Sequence, residues 1–237
     1  MSSTPLLDIH THNLSIGASH LIFNPSNIEV PSSYKNKTGV YVSVGFHPWH
    51  LESSYNEKEW STFEELSLSD DIIAIGEAGL DKIKGAPMDL QQESFQRQIA
   101  WASKVQKPII VHNVRASEEV WHALKKEEGN LTAIMHAFRR NKKVAQRFLD
   151  LGHYLSFGHP LLFDKNLQEV LKYIPKDRFF LETDGFDGVF IKEMYEKAAA
   201  ILKTDISSVS LQTFENFNTL FPKNKIDYGA PKLVIKN

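Results

Sequence analysis

The sequence predicts one α/β domain, folded as a (β/α)8 TIM-like barrel that is abridged in its first quarter. Three observations predict this fold class: eight apolar, β-branched runs recur along the chain, helical patterns separate the later runs, and 237 residues suffice for one barrel. Strands buried under outer helices form near-continuous apolar runs, which favours a parallel sheet. We therefore treat residues 1–237 as one domain, with an open, doubly wound sheet as the alternative.

The eight runs appear in order as "LLDIH", "HLIF", "VYVSVGF", "IIAIGE", "PIIVH", "LTAIMH", "HYLSF" and "RFFLET". From about residue 57 onward, helical periodicity fills the intervals, as in Phe95, Ile99 and Ala102 at i, i+4 and i+7. The stretches "SEEVWHALKKEEG" and "KKVAQRFLDLG" are also helical in pattern, and each closes near a glycine. Strand and helix are thus expected to alternate through the last three quarters of the chain.

The first quarter departs from this alternation. Between His12 and Val40 the chain has too few residues, and too many Ser, Asn and Pro, for two crossover helices. We expect loops or a hairpin to join the early strands, which leaves the barrel wall thin there. A second copy of the chain could cover this wall, which would make the protein a homo-oligomer.

The composition excludes several function classes. Because the chain has no cysteine, thiolate metal sites and thiol nucleophiles are excluded, and any metal must be bound by histidine and carboxylate. The net charge of -2 argues against a general polyanion-binding surface, although a local basic rim around a cleft would not show in that sum. The chain lacks a membrane-length apolar run and a signal-like N-terminus, so we expect a cytoplasmic protein without a membrane partner.

Side chains of the metal-ligand type stand at the ends of five predicted strands. The first run ends in His10 and His12, which point to one side because side chains alternate along a strand. The others are Glu77 in "AIGE", His112 in "PIIVH", His136 in "AIMH" and Asp184 in "LETD". In a parallel barrel all these ends lie at the C-terminal mouth, where such barrels build their active sites.

This set of residues predicts a catalytic metal site. Each residue alone could be a polar group that is hydrogen-bonded at a strand end. Together, buried without a cation, they would cost on the order of several kcal/mol in desolvation and repulsion. Four histidines and two carboxylates exceed the four ligands of a structural zinc site, so two ions, or one ion with an open position, fit better. Nitrogen and oxygen ligands suit Zn, Mn, Mg and Fe in differing degrees.

Six segments stand in order along the chain: "DIHTH", "GFHPWH", "GEAGLD", "VHNVRA", "MHAF" and "LETD". In this order they resemble the TatD-like metal-dependent hydrolases, a family within the amidohydrolase type of barrel. They match the family's histidine pair, its "GxHP" and "GExGLD" segments, a histidine before an arginine, a further histidine, and "ETD". The resemblance spans roughly residues 6–221.

The resemblance implies two divalent metal ions per chain, Zn, Mn or Mg, that activate a water molecule for hydrolysis. The implied ligands are His10, His12 and Asp184 for one ion and His112 and His136 for a second, with Glu77 bridging the two. Asp184 and Glu77 are the expected catalytic residues, and Asp184 would orient or deprotonate the water in addition to its ligand role. Asp81 is expected to hold a ligand histidine in place.

The candidates for substrate binding are His47, Arg115, Arg139, with its neighbour Arg140, and His159. His47 in "GFHPWH" lies at another strand end, where it faces the substrate or fixes the loop by a hydrogen bond. Arg115 and the pair Arg139 and Arg140 can bind a phosphate in bidentate fashion, although a solvated loop explains the pair equally well. His159 in "FGHP" follows a barrel strand and could line the pocket.

The leading functional prediction is a divalent-metal-dependent phosphodiesterase, a deoxyribonuclease that acts on single-stranded DNA ends. The alternative is an amidohydrolase-type hydrolase of a small ester or amide, because three pocket segments depart from the family pattern. They are "AFRRN" after His136, "KIKG" after "GLD", and "GF" after "ETD". A metal-binding protein without turnover is a third reading, against which the complete ligand set argues.

Overall fold

The computed structural model of the chain describes residues 4–13, 17–25, 28, 37–51, 57–186, 188 and 190–228. Its strands are β1 (Leu7–Thr11), β2 (His20–Phe23), β3 (Val40–Val44), β4 (Ile72–Asp81), β5 (Ile109–Val114), β6 (Ala133–Met135), β7 (Tyr154–Phe157) and β8 (Phe179–Leu181). Neighbouring strands pair in parallel, in the order β1 to β8. Each of the eight predicted runs overlaps one of these strands, so the predicted parallel α/β fold is confirmed.

Helices follow the strands from β3 onward. They are α1 (Glu57–Ser67), α2 (Met88–Val105), α3 (Ser117–Lys125), α4 (Lys142–Asp150), α5 (Lys165–Tyr173), α6 (Ile191–Leu202) and α7 (Ile206–Leu220), with short 3-10 helices at His159–Leu162 and Lys176–Arg178. The predicted alternation is therefore confirmed. In the described part of the chain, no helix has both the length and the apolar character needed to cross a bilayer.

The first and last strands approach each other and nearly close the barrel. The backbone N–H of Asp184 donates to the carbonyl oxygen of His10 at 3.1 Å. The hydroxyl of Thr183 donates to Asp8 Oδ2 at 2.6 Å, and its backbone N–H donates to Asp8 Oδ1 at 3.1 Å. The open, doubly wound alternative is therefore wrong.

The described residues of the first quarter agree with an abridged barrel. Leu7 pairs with His20 and Leu21 pairs with Val40, and both pairings are parallel, so the hairpin alternative is wrong. Among the described residues between β1 and β3 there is no helix. The remainder of this prediction falls on residues 14–16, 26–27 and 29–36, which lie outside the described residues.

Helix α7 packs under the barrel, against the starts of β2 and β3. The ring centroid of Phe214 is 5.3 Å from that of His20, and Phe217 is 5.2 Å from Tyr41. Because His20 and Tyr41 stand at the starts of β2 and β3, α7 covers the N-terminal end of these strands. Phe214 and Phe217 also join the apolar side chains that fill the barrel interior, among them Ile110. The opposite, C-terminal end of the barrel is left for the site.

Candidate metal centre

The carboxylate of Glu77 lies at the centre of the C-terminal mouth and is 2% exposed. Gly76 has φ +118 and lies so close to β5 that a Cβ there would meet the carbonyl oxygen of Ile110. The side-chain amide of Asn24 donates to the Gly76 carbonyl oxygen at 2.6 Å. The close packing of β4 on β5 and this hydrogen bond together fix the backbone from which Glu77 projects.

Five imidazoles surround Glu77, and its two oxygens divide them into two groups. Oε2 faces two rings: Nε2 of His12 at 3.2 Å and Nε2 of His10 at 3.3 Å. Oε1 faces three: Nδ1 of His112 at 2.7 Å, Nε2 of His136 at 2.7 Å and Nε2 of His47 at 3.2 Å. One buried carboxylate thus stands between two clusters of nitrogen ligands.

The Oε2 group includes a second carboxylate. Oδ1 of Asp184 lies 3.5 Å from Nε2 of His10 and 3.7 Å from Nε2 of His12. Nδ1 of His12 lies 3.0 Å from the carbonyl oxygen of Asn24, which orients the ring with Nε2 toward the cluster. One ligand atom from each of His10, His12, Glu77 and Asp184 lies within 4.8 Å of the others, close enough for one ion.

Asp81 fixes the orientation of His112, one of the imidazoles of the Oε1 group. Nε2 of His112 lies 3.1 Å from Asp81 Oδ2, which also accepts a hydrogen bond from the Trp49 indole at 2.7 Å. The ring of His112 is therefore held with Nδ1 toward Glu77, which is the role expected for Asp81. His47, His112 and Glu77 also have ligand atoms within 4.8 Å of one another, so the structure places His47 among the possible ligands.

Neighbouring charges shift the pKa values of the buried groups in this cluster. Burial would raise the pKa of Glu77, but the charge of His136 and hydrogen bonds from neighbouring imidazoles hold it well below its usual range. Burial, and the charge of His136, would lower the pKa of His10, yet hydrogen bonds to Asp184 and Glu77 raise it to about 9. Burial opposes protonation of His136 as well, and the Glu77 charge raises its pKa well above the usual range. The buried carboxylates therefore require positive charge beside them.

The side chains in this cluster fit divalent cations. His10 is fully buried, and its Nε2 faces two carboxylates, Oε2 of Glu77 at 3.3 Å and Oδ1 of Asp184 at 3.5 Å. A divalent ion here would bind Nε2 and balance the charge of both carboxylates. A donor set of imidazole nitrogens and carboxylate oxygens, without thiolate, suits Zn, Mn and Mg.

The other sequence-predicted residues lie around the mouth. Arg115 is exposed at the end of β5, with φ 54, and forms no ion pair with another described residue. Arg139 is exposed and follows His136 by three residues. His159 starts the 3-10 helix after β7, and its ring stacks on Phe186 with a centroid distance of 5.1 Å. The structure thus brings His47 to Glu77, whereas Arg115, Arg139 and His159 form no ion pair with it within the described part of the chain.

Sequence reasoning missed Glu182, which is fully buried beside His136. Its Oε1 lies 3.5 Å from Nδ1 of His136 and accepts the backbone N–H of Ala137 at 2.6 Å. The alternation of side chains in "LETD" places Glu182 on the same side as Asp184, and this signal could have found it. Asn24 was also missed, because its role depends on backbone oxygens of other segments.

A parallel barrel with a histidine and carboxylate cluster at the C-terminal ends of its strands is typical of metal-dependent hydrolases. A family model described as "TatD related DNase" matches residues 14–222. The chain therefore belongs to the TatD family of metal-dependent hydrolases, and the resemblance seen in its motifs is confirmed.

Individual relatives agree with this assignment. The chain is 35% identical over 201 residues to the uncharacterised metal-dependent hydrolase YabD of Bacillus subtilis (strain 168), covering 78% of each protein. It is 31% identical over 148 residues to the 3'-5' ssDNA/RNA exonuclease TatD of Rahnella sp. (strain Y9602), covering 60% of this chain and 56% of that protein. The crystal structure of YJJV, a TatD homologue from Escherichia coli K12, superposes with a TM-score of 0.80 at 20% identity, covering 92% of this chain and 98% of that one.

Proposed function

We propose that this hydrolase cleaves phosphodiester bonds at the ends of single-stranded DNA, using two divalent ions that share Glu77. In this proposal His10, His12 and Asp184 would hold one ion on the Oε2 side of Glu77. His112 and His136 would hold the second on the Oε1 side, and His47 would add a further nitrogen. The observation that carries the proposal is the division of five imidazoles between the two oxygens of one buried carboxylate.

Bound in these positions, divalent ions supply an activated water molecule and stabilise the charge that develops on the phosphoryl group. Asp184 is the residue of this cluster best placed to accept the proton of the attacking water, because its side chain is 33% exposed whereas that of Glu77 is buried. Burial would raise the pKa of Asp184, but the hydrogen bond from His10 and the charge of His136 lower it. Asp184 is thus held ionised, as a base must be.

The substrate class rests on charge and on a relative. Arg115 and Arg139 are exposed guanidinium groups at the end of the barrel where the site lies, and guanidinium binds phosphate oxygens in bidentate fashion. The Rahnella relative is named as an exonuclease of single-stranded DNA and RNA. Both observations favour a nucleic-acid substrate over a small ester or amide.

The test measures nucleotide release from a single-stranded DNA oligonucleotide with Mg, Mn or Zn added. We expect release by the wild type and a loss of several orders of magnitude in Glu77→Gln, which removes the shared charge. Glu65→Gln, at an exposed position of α1, is the matched control and should cleave like the wild type. If no metal supports release although metal is bound, the phosphodiesterase proposal fails and ester or amide substrates become the candidates.

A further inference from the structure

Two exposed phenylalanine rings contact the half-buried ring of His159 at the rim of the mouth. The ring of Phe186 is 57% exposed and lies nearly parallel to that of His159, at 5.1 Å and 22°. Phe163 is 59% exposed, and its ring centroid lies 5.2 Å from that of His159 in an edge arrangement. A single exposed apolar residue is ordinary, but adjoining ones beside a catalytic mouth mark a binding surface.

The backbone after β8 holds Phe186 close to the proposed metal ligands. Asp184 and Gly185 both have positive φ, +57 and +67, and the Phe186 N–H donates to the carbonyl oxygen of Thr183 at 3.0 Å. A Cβ at Gly185 would lie 3.1 Å from Cβ of His12, so the turn packs directly on that ligand. Phe186 is also the phenylalanine of the "GF" that departs from the family pattern.

A basic groove of about 660 Å³ opens between the starts of α4 and α5. Its walls include Arg139, Arg140, Lys142 and Lys143, which follow closely on His136. Among the described residues, Arg139, Arg140 and Lys143 form no ion pair, whereas Lys142 lies 3.9 Å from Glu169. The groove therefore concentrates positive charge on a chain whose net charge is -2.

The acidic side chains of the groove already have hydrogen-bond partners within the protein. Asp164 caps α5 by accepting the backbone N–H groups of Asn166 and Leu167. Glu169 accepts a hydrogen bond from Lys172 at 2.6 Å. Asp164 also follows Phe163 directly in the chain, so the aromatic group and the groove adjoin each other at this point.

We propose that Phe186, His159 and Phe163 form a base-stacking platform, and that the groove lined by Arg139, Arg140 and Lys143 holds phosphates of the same single strand. This inference rests on the proposed function and adds how the substrate is held. Proteins that bind single strands combine aromatic rings, on which unpaired bases stack, with a positively charged groove that follows the backbone. A duplex would not offer its base faces to the platform.

The experiment measures binding without turnover. Fluorescence anisotropy reports binding of a labelled single strand of about ten nucleotides, with phosphorothioate linkages that resist hydrolysis, to the metal-loaded protein. A second strand has the same linkages but abasic sugars. We expect Phe186→Ala to weaken binding of the base-bearing strand about tenfold and to leave the abasic strand unchanged, because one stacked base contributes about 1–3 kcal/mol. Phe186→Trp should restore binding.

Substitutions in the groove should change strand binding in a different way from substitution of Phe186. Arg139→Ala and Arg140→Ala should weaken binding of both strands alike, and each lost phosphate contact should reduce the salt dependence of log K by about 0.7. Two controls lie away from the platform and the groove: Leu211→Ala on α7, exposed like Phe186, and Lys176→Ala in the 3-10 helix before β8. Neither should change the binding of either strand.

Several outcomes would overturn the inference. Phe186→Ala could leave binding unchanged or weaken both strands equally, and the arginine variants could leave the salt dependence unaltered. Because binding is measured without cleavage, this failure is distinct from failure of the proposed function. If the protein binds strands through Phe186 but releases no nucleotide, the platform is supported and the phosphodiesterase proposal is contradicted. If it releases nucleotides but Phe186→Ala leaves binding unchanged, the proposed function is supported and the platform is contradicted.

Discussion

Nε2 of His136 lies 2.7 Å from Oε1 of Glu77, and both side chains are buried. The pair joins the ends of β6 and β4, strands separated in the barrel by β5. A buried charge that loses its partner is strongly destabilising. The negative charge of Glu77 therefore needs a positive partner, which is either the protonated imidazole of His136 or a bound cation. A divalent ion beside Glu77 would supply the positive charge that this buried carboxylate needs.

Glu77→Gln should lose metal. The amide keeps the size of the side chain but removes the negative charge that the two clusters of imidazoles face. We therefore expect metal affinity to fall at least tenfold. Metal content per chain, measured by mass spectrometry after dialysis, checks this. Glu65→Gln should retain the wild-type content. An unchanged metal content in Glu77→Gln would show that this carboxylate does not bind the ions.

His47→Ala tests whether His47 is a ligand of the second ion. Because its Nε2 lies 3.2 Å from Glu77 Oε1 and 3.3 Å from Nδ1 of His112, we expect the variant to bind its second ion more weakly. Calorimetric titration of the metal-free protein resolves the two binding steps. His50→Ala is the matched control, since His50 is exposed and its ring lies 5.4 Å from that of His47. Equal effects of the two variants would contradict a ligand role for His47.

Asp81→Asn should weaken the site without removing a ligand. Burial would raise the pKa of Asp81, but hydrogen bonds from Trp49, from the Ile83 backbone N–H and from His112 lower it, so the carboxylate accepts from the His112 ring. An amide accepts a hydrogen bond more weakly and can donate one instead. In Asp81→Asn, the nitrogen of His112 that carries the proton is therefore no longer fixed. The loss of such a partner typically reduces metal affinity or activity by about 10–100-fold.

Metal titration of Asp81→Asn followed by oligonucleotide cleavage measures this loss. Asp89→Asn, at an exposed position in the first turn of α2, should behave like the wild type. If saturating metal restores full activity to Asp81→Asn, the effect is on affinity alone. If affinity and activity both equal those of the wild type, Asp81 has no role in orienting His112.

The strands and the candidate ligands were predictable because their signals are local. An apolar run such as "PIIVH" is a strand that ends in a polar side chain, and the parallel order brings such ends together. His47 needed more than this. Its approach to Glu77 depends on the path of the chain after β3, and the pattern "GFHPWH" does not specify that path.

Two other features were not predictable for a similar reason. Helix α7 has an apolar pattern that includes Phe214 and Phe217, but the pattern does not say that this helix packs under the barrel. The platform depends on positive φ at Asp184, a conformation that few residues other than glycine adopt and that sequence alone does not reveal. Both depend on which distant segments become neighbours.

His153 should make the protein less stable in mild acid. It is 1% exposed, its Nδ1 accepts the Ala133 N–H at 3.3 Å, and burial lowers its pKa to about 4. The unfolded chain, with a histidine pKa near 6.5, binds the proton first. Stability is therefore lost as pH falls from about 6.5 toward 4, by about 2 kcal/mol between pH 7 and pH 5. Urea unfolding of the metal-free protein should show this loss reduced by about that amount in His153→Asn and unchanged in His122→Asn, an exposed control. An equal loss in both variants would contradict a neutral, buried His153.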